Sequence, residues 1–350
     1  MKTILWWGRY DPDYSRNRII RALQQGLGYQ IINFHPRLSL TATFEASVIG
    51  IKKPDLVWVP CFRQRDMLAA AKWAKSRKIP IIFDPLISAW DKQVFERKKF
   101  SAESHKAIKL LKQETRQFQS ADILIADSDE HARFFSDKFN IEPHRIVVIP
   151  VGAEEVLFKP EPLSDKTNKV IEVLFYGSFI NLQRPQIIIE AARLCNNPNL
   201  HWHLLGSGPL LDECKKLAKD LKQVVFEDWI DYKQLPQRIH KADILLGIFG
   251  SSEKAARVIP NKVYQAMACA RPVISRSSPA YPSGLQNGTK TGLYQIPEKD
   301  PQALCETVSQ LARSHEQMAA AGFNARNTYE EYFSTEIIKH KLEELLKSLI

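Results

Sequence analysis

Short apolar, β-rich runs alternate with longer amphipathic stretches along almost the whole chain, and this alternation narrows the fold more than any other feature. The strand candidates of the first half are TILWWG (3–8), YQIINF (29–34), LVWVP (56–60), IPIIFD (79–84), DILIAD (122–127) and RIVVIP (145–150). Helical stretches such as 15–26 and 63–77 lie between them. Strands that read as near-continuous apolar runs are buried on both faces, the condition of a parallel sheet covered by helices. After KPEPLSDKTNK (159–169) the pattern restarts with VIEVLFYG, LHWHLLG, QVVFEDWI, DILLGIFG and RPVIS, with helices near 185–196 and 209–222. That linker has the polar, Pro-containing composition of a boundary. The expected fold class is α/β: two doubly wound domains at 1–158 and 159–330, then a helix at 331–350 expected to pack back on the first domain.

Composition agrees with two soluble domains: 350 residues, 44% hydrophobic and 25% charged. No apolar run approaches the roughly 20 residues of a membrane helix. The N-terminus MKTILWWGRYDPDYSRN lacks the long apolar stretch and small-residue cleavage site of a signal peptide, so a cytoplasmic location is expected. Cys61, Cys195, Cys214, Cys269 and Cys305 are widely spaced without a CxxC pair. Reduced, mostly buried thiols are therefore expected, with neither a zinc site nor a disulfide framework. Net charge is +10, and residues 1–160 carry 26 Lys+Arg against 18 Asp+Glu. Such a balance suits phosphorylated substrates, an anionic membrane surface or nucleic acid.

Ligands of doubly wound sheets bind beyond the carboxyl ends of the strands. The first such loop, WWGRYDP, holds Gly8 and Tyr10. FYGSFINLQRP carries Gly177, Ser178, Gln183 and Arg184; LLGSGPLLDE carries Gly206, Ser207 and Gly208. A Gly-Ser-Gly turn serves a tight bend or a phosphate contact, and the motif alone does not separate them.

ARVIPNKVYQAMACARPVIS (256–275) reads as a short helix followed by a strand. Pro260 suits the helix entry and Asn261 its cap. Lys262 then falls in the first turn, where the helix is already positive, and Arg257 lies five residues earlier. Either Lys262 is a solvated side chain, or it and Arg257 join the helix N–H groups around an anion.

Residues 173 to about 311 resemble the retaining glycosyltransferases of family 4, or glycosyl transferases group 1, through VLFYGSFINLQRPQIIIEAARL, LHWHLLGSGPLLDE, FEDWIDYKQLPQRIHKADILLGIFG and KAARVIPNKVYQAMACARPVIS. FDPLISAWDKQVFERKKF, SADILIADSDEHARFF and IVVIPVGAEEVLF extend the likeness through the first half. The resemblance implies the GT-B architecture, two Rossmann-like domains facing a central cleft, with the acceptor on the first and the nucleotide-sugar on the second. It implies retention by front-face attack, with no obligatory protein nucleophile and no essential metal or cofactor. The donor site would gather Gly177, Ser178, Gln183, Arg184, Gly206, Ser207, Gly208, Ile230, Phe249, Ile259, Pro260, Asn261 and Gln265. The family's two Glu residues are replaced by Arg257 and Gln265, and IPNK stands where GFP is usual. Arg257 and Lys262 would then face the diphosphate, and Gln265 the ribose through a weaker neutral amide.

For the first domain, catalytic Asp84 and acceptor-side Gly8, Tyr10, Arg16 and Ser88 are expected, with Asn17 beside Arg16; strand termination and a solvated helix start are their plainer roles. In ILIADSD, Asp127 and Asp129 mimic a cation-binding Asp-x-Asp, but Ser128 or Asp129 also suits a helix cap. The run 92–116 holds eight Lys/Arg against three Glu. It lacks a nucleic-acid-binding module. As a helix it would lay a basic face on anionic lipid with Phe95, Phe100, Leu110 and Leu111 as apolar contacts, or it is simply solvated. The expected activity is hexosyl transfer from a nucleotide-diphosphate sugar to a glycan or lipid-linked acceptor in cell-envelope polysaccharide or glycolipid synthesis, at the inner face of the plasma membrane. A noncatalytic nucleotide- or partner-binding protein and a nucleotide-sugar epimerase of the same fold are the alternatives.

Overall fold

The structure is a computed structural model describing residues 1–163 and 170–350; residues 164–169 of the linker at 159–169 lie outside the described residues. The chain divides into two compact units, Met1–Val151 with Thr335–Ile350, and Gly152–Ser334.

The first unit runs β1 (Thr3–Trp7), α1 (Ser15–Gly26), β2 (Gln30–Phe34), α2 (Ala42–Val48), β3 (Leu56–Val59), α3 (Met67–Lys75), β4 (Ile81–Phe83), α4 (Ala89–Asp91), α5 (His105–Gln119), β5 (Ile123–Ala126), α6 (Asp129–Phe139) and β6 (Ile146–Val148). Its strands form a parallel sheet in the order β2-β1-β3-β4-β5-β6. The pleat sends Leu5, Trp7, Val57, Val59, Ile81 and Phe83 into one core and Ile4, Trp6, Leu56, Trp58 and Ile82 into the other. Burial on both faces is why these strands are apolar throughout.

The second unit repeats the plan with β7 (Ile171–Tyr176), α7 (Gln186–Leu194), β8 (Leu200–Leu205), α8 (Leu211–Leu217), β9 (Val224–Glu227), α9 (Leu235–Lys241), β10 (Ile244–Leu246), α10 (Glu253–Arg257), α11 (Asn261–Ala268), β11 (Val273–Arg276), β12 (Leu293–Ile296), α12 (Pro301–Leu311) and α13 (His315–Tyr332). The parallel order is β12-β11-β10-β7-β8-β9. The last helix, α14 (Thr335–Leu349), belongs to the first unit, where Ile338, Leu342, Leu345 and Leu346 join the core of Ile4, Trp6, Ile20 and Trp58.

Two expectations are corrected. Cys195, at the end of α7, and Cys305, in α12, are paired as a disulfide with Cα atoms 5.5 Å apart; Cys61, Cys214 and Cys269 are free and buried. The pairing follows from two helices packed side by side, which residue spacing does not reveal. The basic run 92–116 is not one helix: Lys98 takes a left-handed φ of 47° and Ser104 caps a new helix by accepting from Ala107 N. Phe95, Phe100, Leu110 and Leu111 pack on Trp90, Val94 and Ala107, so the expected lipid contacts are turned inward.

Candidate active site

In each sheet the strand order reverses once, between β1 and β3 and between β7 and β10, and such switch points open a crevice at the carboxyl ends. In the second unit that place is built by the loops after β7 and β10 and by the start of α11.

The loop after β7 begins at Gly177, with φ +145°. A Cβ there would lie 2.5 Å from Gln183 Oε1 and 2.9 Å from Lys262 Nζ. The neighbouring loop leans on it: a Cβ at Gly206 would sit 2.2 Å from the carbonyl oxygen of Gly177. Phe179 N donates to the Ser207 carbonyl (2.9 Å) and Leu210 N to the Phe179 carbonyl (3.0 Å), stitching 177–179 to 207–210. Gly206, Ser207 and Gly208 therefore serve a close loop apposition. Phe249 N donates to the Gln183 carbonyl (3.1 Å), bringing the third loop to the same place. The Phe249 side chain is in the core, so of this expected donor contact only the backbone reaches the loop. Arg184 is exposed in a left-handed conformation, φ 48°, the kind of strain that collects at functional loops.

Lys262 is the centre of this arrangement. It lies in the first turn of α11, is 5% exposed, and donates from Nζ to Gln183 Oε1 (2.7 Å). The ammonium stands 3.8 Å from the Phe175 ring centroid. Among the described residues no carboxylate pairs with it, and burial pushes its pKa well below the ordinary lysine value. The expected cap is corrected: Pro260 occupies the N-cap without a side-chain bond, and Asn261 is the first helical residue. Pro260 is extended, with ψ 145°, so the helix starts one residue earlier than a capping Asn261 would require. Ile259 is buried beside it.

Arg257 is also displaced from its expected loop. It ends α10, where it pairs with Glu253 Oε2 at 3.2 Å. Ser252 caps that helix by accepting from Ala255 N, and the helix carries the chain through Arg257 before the Ile259-Pro260 turn. Gln265 has both ends of its amide engaged: Oε1 accepts from Tyr176 OH (2.8 Å), and Nε2 donates to Tyr232 OH (3.3 Å). Tyr232 OH in turn donates to Glu154 Oε1 (2.9 Å). Near Ile230, half-exposed Trp229 donates from Nε1 to Ser207 Oγ (2.8 Å). Glu154, Tyr176, Tyr232 and Trp229 escaped the sequence reading because their partners are far away in sequence. An aromatic ending a strand, as Tyr176 does, was the one local signal.

The first-unit candidates are mostly tied to one another. Arg16 and Asp84 form a buried ion pair (3.0 Å), and Arg16 Nη1 also donates to the carbonyls of Ile149 (3.0 Å) and Pro150 (2.6 Å). Burial raises the Asp84 pKa, against the pull of Arg16. Ser88 is buried too, donating to Glu114 Oε2 (2.7 Å) while capping α4. Asp84, Arg16 and Ser88 thus sit under the surface as internal braces. Asn17 donates to the Asp11 carbonyl (2.8 Å). Tyr10 OH donates to Asn33 Oδ1 (2.7 Å) and meets Arg21, and Gly8 borders Asp66, so these two line the switch-point loop. Asp127 bonds His131 Nδ1 (2.7 Å) while Ser128 caps α6, which favours the cap over a cation site.

Residues 171–314 match the family described as Glycosyl transferases group 1. The chain is 25% identical over 223 residues to the O-antigen chain mannosyltransferase C of Escherichia coli, covering 62% of this chain and 58% of that protein. Among solved structures it is similar to Anabaena Alr3699/HepE in complex with UDP, with a TM-score of 0.75, 16% identity and full coverage of both chains. It is likewise similar to sucrose-phosphate synthase from Thermosynechococcus elongatus, with a TM-score of 0.74, 16% identity and coverage of 100% and 99%. The two parallel sheets and these structural likenesses give the chain the GT-B fold, and the stretch that matches glycosyl transferases group 1 lies within its second unit.

Proposed function

We propose that the chain is a retaining hexosyltransferase of family 4, in a subgroup with IPNK at the usual motif. It moves a sugar from a nucleotide-diphosphate donor to a glycan or lipid-linked acceptor in envelope polysaccharide or glycolipid synthesis, at the inner face of the plasma membrane. The observation that carries this reading is Lys262, a buried amine with no carboxylate partner among the described residues, at the first turn of α11 and the switch point of the second sheet. A buried cation without a counter-charge is costly, and an arriving diphosphate supplies the missing charge. Donor complexes of structural relatives, among them Anabaena HepE with UDP-glucose, support a nucleotide-sugar donor.

In the reaction, the bond from the anomeric carbon to the diphosphate oxygen breaks and the electron pair leaves with the diphosphate. The acceptor oxygen bonds to the same face of the ring, and its proton passes to the departing diphosphate. Negative charge growing on the leaving oxygens is stabilised by Lys262 and the N–H groups of the α11 turn, preorganised dipoles that need no rearrangement at the transition state. No metal or cofactor takes part.

Thermal-shift measurements with UDP, GDP, ADP and their sugars identify the base, and NMR of the product anomer tests retention. Lys262→Ala is expected to weaken diphosphate binding roughly ten- to a hundredfold, the value of a charged hydrogen bond, with little change for the nucleoside. Equal losses for both ligands would remove Lys262 from the phosphate site. The engaged amide of Gln265 favours, as a second reading, a protein that binds nucleotide without transfer; it predicts nucleotide binding with neither hydrolysis nor transfer. An epimerase would convert the donor sugar without an acceptor.

A further inference from the structure

Helix α2 presents its side chains the wrong way round for a soluble protein. Ala42 and Ala46 face the core, while Phe44 and Val48 are 74% and 68% exposed. The flanking loop adds Leu38 and Leu40, the latter 97% exposed, and Ile49 and Leu68 continue the surface. Large apolar side chains gathered on one face, with small ones turned inward, mark a surface that meets something apolar.

A groove of about 930 Å³ runs beside this ridge, walled by Leu40, Phe44 and Leu68. Its other lining includes the exposed Arg65 and Lys72, together with Gln113 of α5. Exposed Lys109 and Arg116 share the helix face of Gln113, four residues before it and three after. Over residues 37–75 there are seven Lys/Arg against three acids. All three acids are engaged: Asp66 is buried against Arg63, Glu45 accepts from Arg37 N (2.8 Å) and Asp55 accepts from Thr3 N (2.6 Å). Apolar side chains rimmed by uncompensated cations are the complement of a bilayer surface, acyl chains beneath anionic headgroups.

We infer that the ridge Leu38–Ile49, with the basic groove beside it, is the surface by which the first unit docks on an anionic membrane. The groove is lined from the segments that follow β2 and β3, together with α5, so docking there would lay the helix-covered side of the first unit on the lipid. The inference rests on the transfer reading for its use, but its test needs no sugar transfer.

The test is sedimentation of the full chain with phosphatidylcholine vesicles, with and without phosphatidylglycerol, at low and high salt. Binding is expected only with the anionic lipid and is expected to fade with salt. Leu40→Ser with Phe44→Ser should lower the vesicle partition coefficient roughly tenfold or more, and so should Arg65→Glu with Lys72→Glu. Both pairs should leave the melting temperature and nucleotide-diphosphate affinity unchanged. Replacing Arg97, Lys98 and Lys99 by Ser should alter the partition far less. Wild-type-like partition of the Leu40/Phe44 variant, or sedimentation indifferent to lipid charge, would overturn the proposal. So would a dimer in sedimentation velocity that the Leu40/Phe44 variant splits, because the ridge would then belong to a second copy of the chain. Membrane binding without nucleotide binding would instead leave the surface standing and sink the transferase reading.

Discussion

Arg257 stands where the resembling family has an acid, so its chemistry has to be measured in this chain. Its tether to Glu253 is an i,i+4 pair with an exposed carboxylate, worth about 0.3–0.5 kcal/mol. If the guanidinium turns to the leaving oxygens, its bonds strengthen as the sugar–phosphate bond breaks. Arg257→Ala is then expected to lower kcat by ten- to a hundredfold, roughly, while weakening donor binding less. Arg257→Lys should recover little, since Lys lacks the planar fork that spans two oxygens. Steady-state kinetics with separate donor titrations read both quantities. Activity retained in Arg257→Glu but lost in Arg257→Ala would return the position to sugar recognition. Lys262 differs in being legible early: a cation in a helix's first turn contradicts the local field, and that contradiction is visible in IPNK itself. The Tyr176–Gln265–Tyr232–Glu154 chain was not, because each link joins residues dozens of positions apart.

At the scale of elements, strands were readable wherever both faces are buried, since every position must then be apolar. The strand β12 was missed because it is a short edge strand entered through the Gly292 turn. Helix α2 hid its character for another reason: exposure is a property of the neighbours, and the letters Phe44 and Val48 read as core. At the end of β9, Glu227 is held by a fork from Arg238 (2.7 and 2.8 Å) and by His203 Nδ1 (2.6 Å). Burial pushes the Glu227 pKa up, but these bonds outweigh it and bring it from 4.5 to about 2. Its folded pKa is thus depressed, so its stabilisation is complete above pH 4.5 and is lost as pH falls toward 2. Arg238→Met should cost about 1 kcal/mol at neutral pH, discounted for a half-solvated pair. It should also flatten the loss of stability between pH 4.5 and 3, because Glu227 then titrates nearer its unfolded value. Urea unfolding at the two pH values checks this; an undiminished acid loss in the variant would assign it to other groups.

On the scale of the molecule, each unit has its own sheet and core, and the first is completed by a segment from the far end of the sequence. Leu342 is fully buried there among Ile4, Trp6 and Trp58. Leu342→Ala is expected to cost about 2–5 kcal/mol, the range for emptying such a core position. Calorimetry should show the loss in one transition only, while the transition raised by nucleotide diphosphate stays in place. A single transition that moves as a whole would show that the units unfold together. The two-domain plan was legible because the β-rich pattern restarts; the return of α14 to the first core is written only in its apolar stripe, which names no partner.

That return has a consequence in time. Ribosomes make residues 335–350 after the whole of the second unit, at about 5–20 residues per second. For roughly ten to forty seconds the nascent first unit lacks the helix that covers Ile4, Trp6 and Trp58. For nearly all of that interval the second unit is itself being made, and the half that was started first remains open on one side until the last 16 residues follow. The unit begun first is completed last, and its open tryptophan face is where a chaperone would be expected to wait.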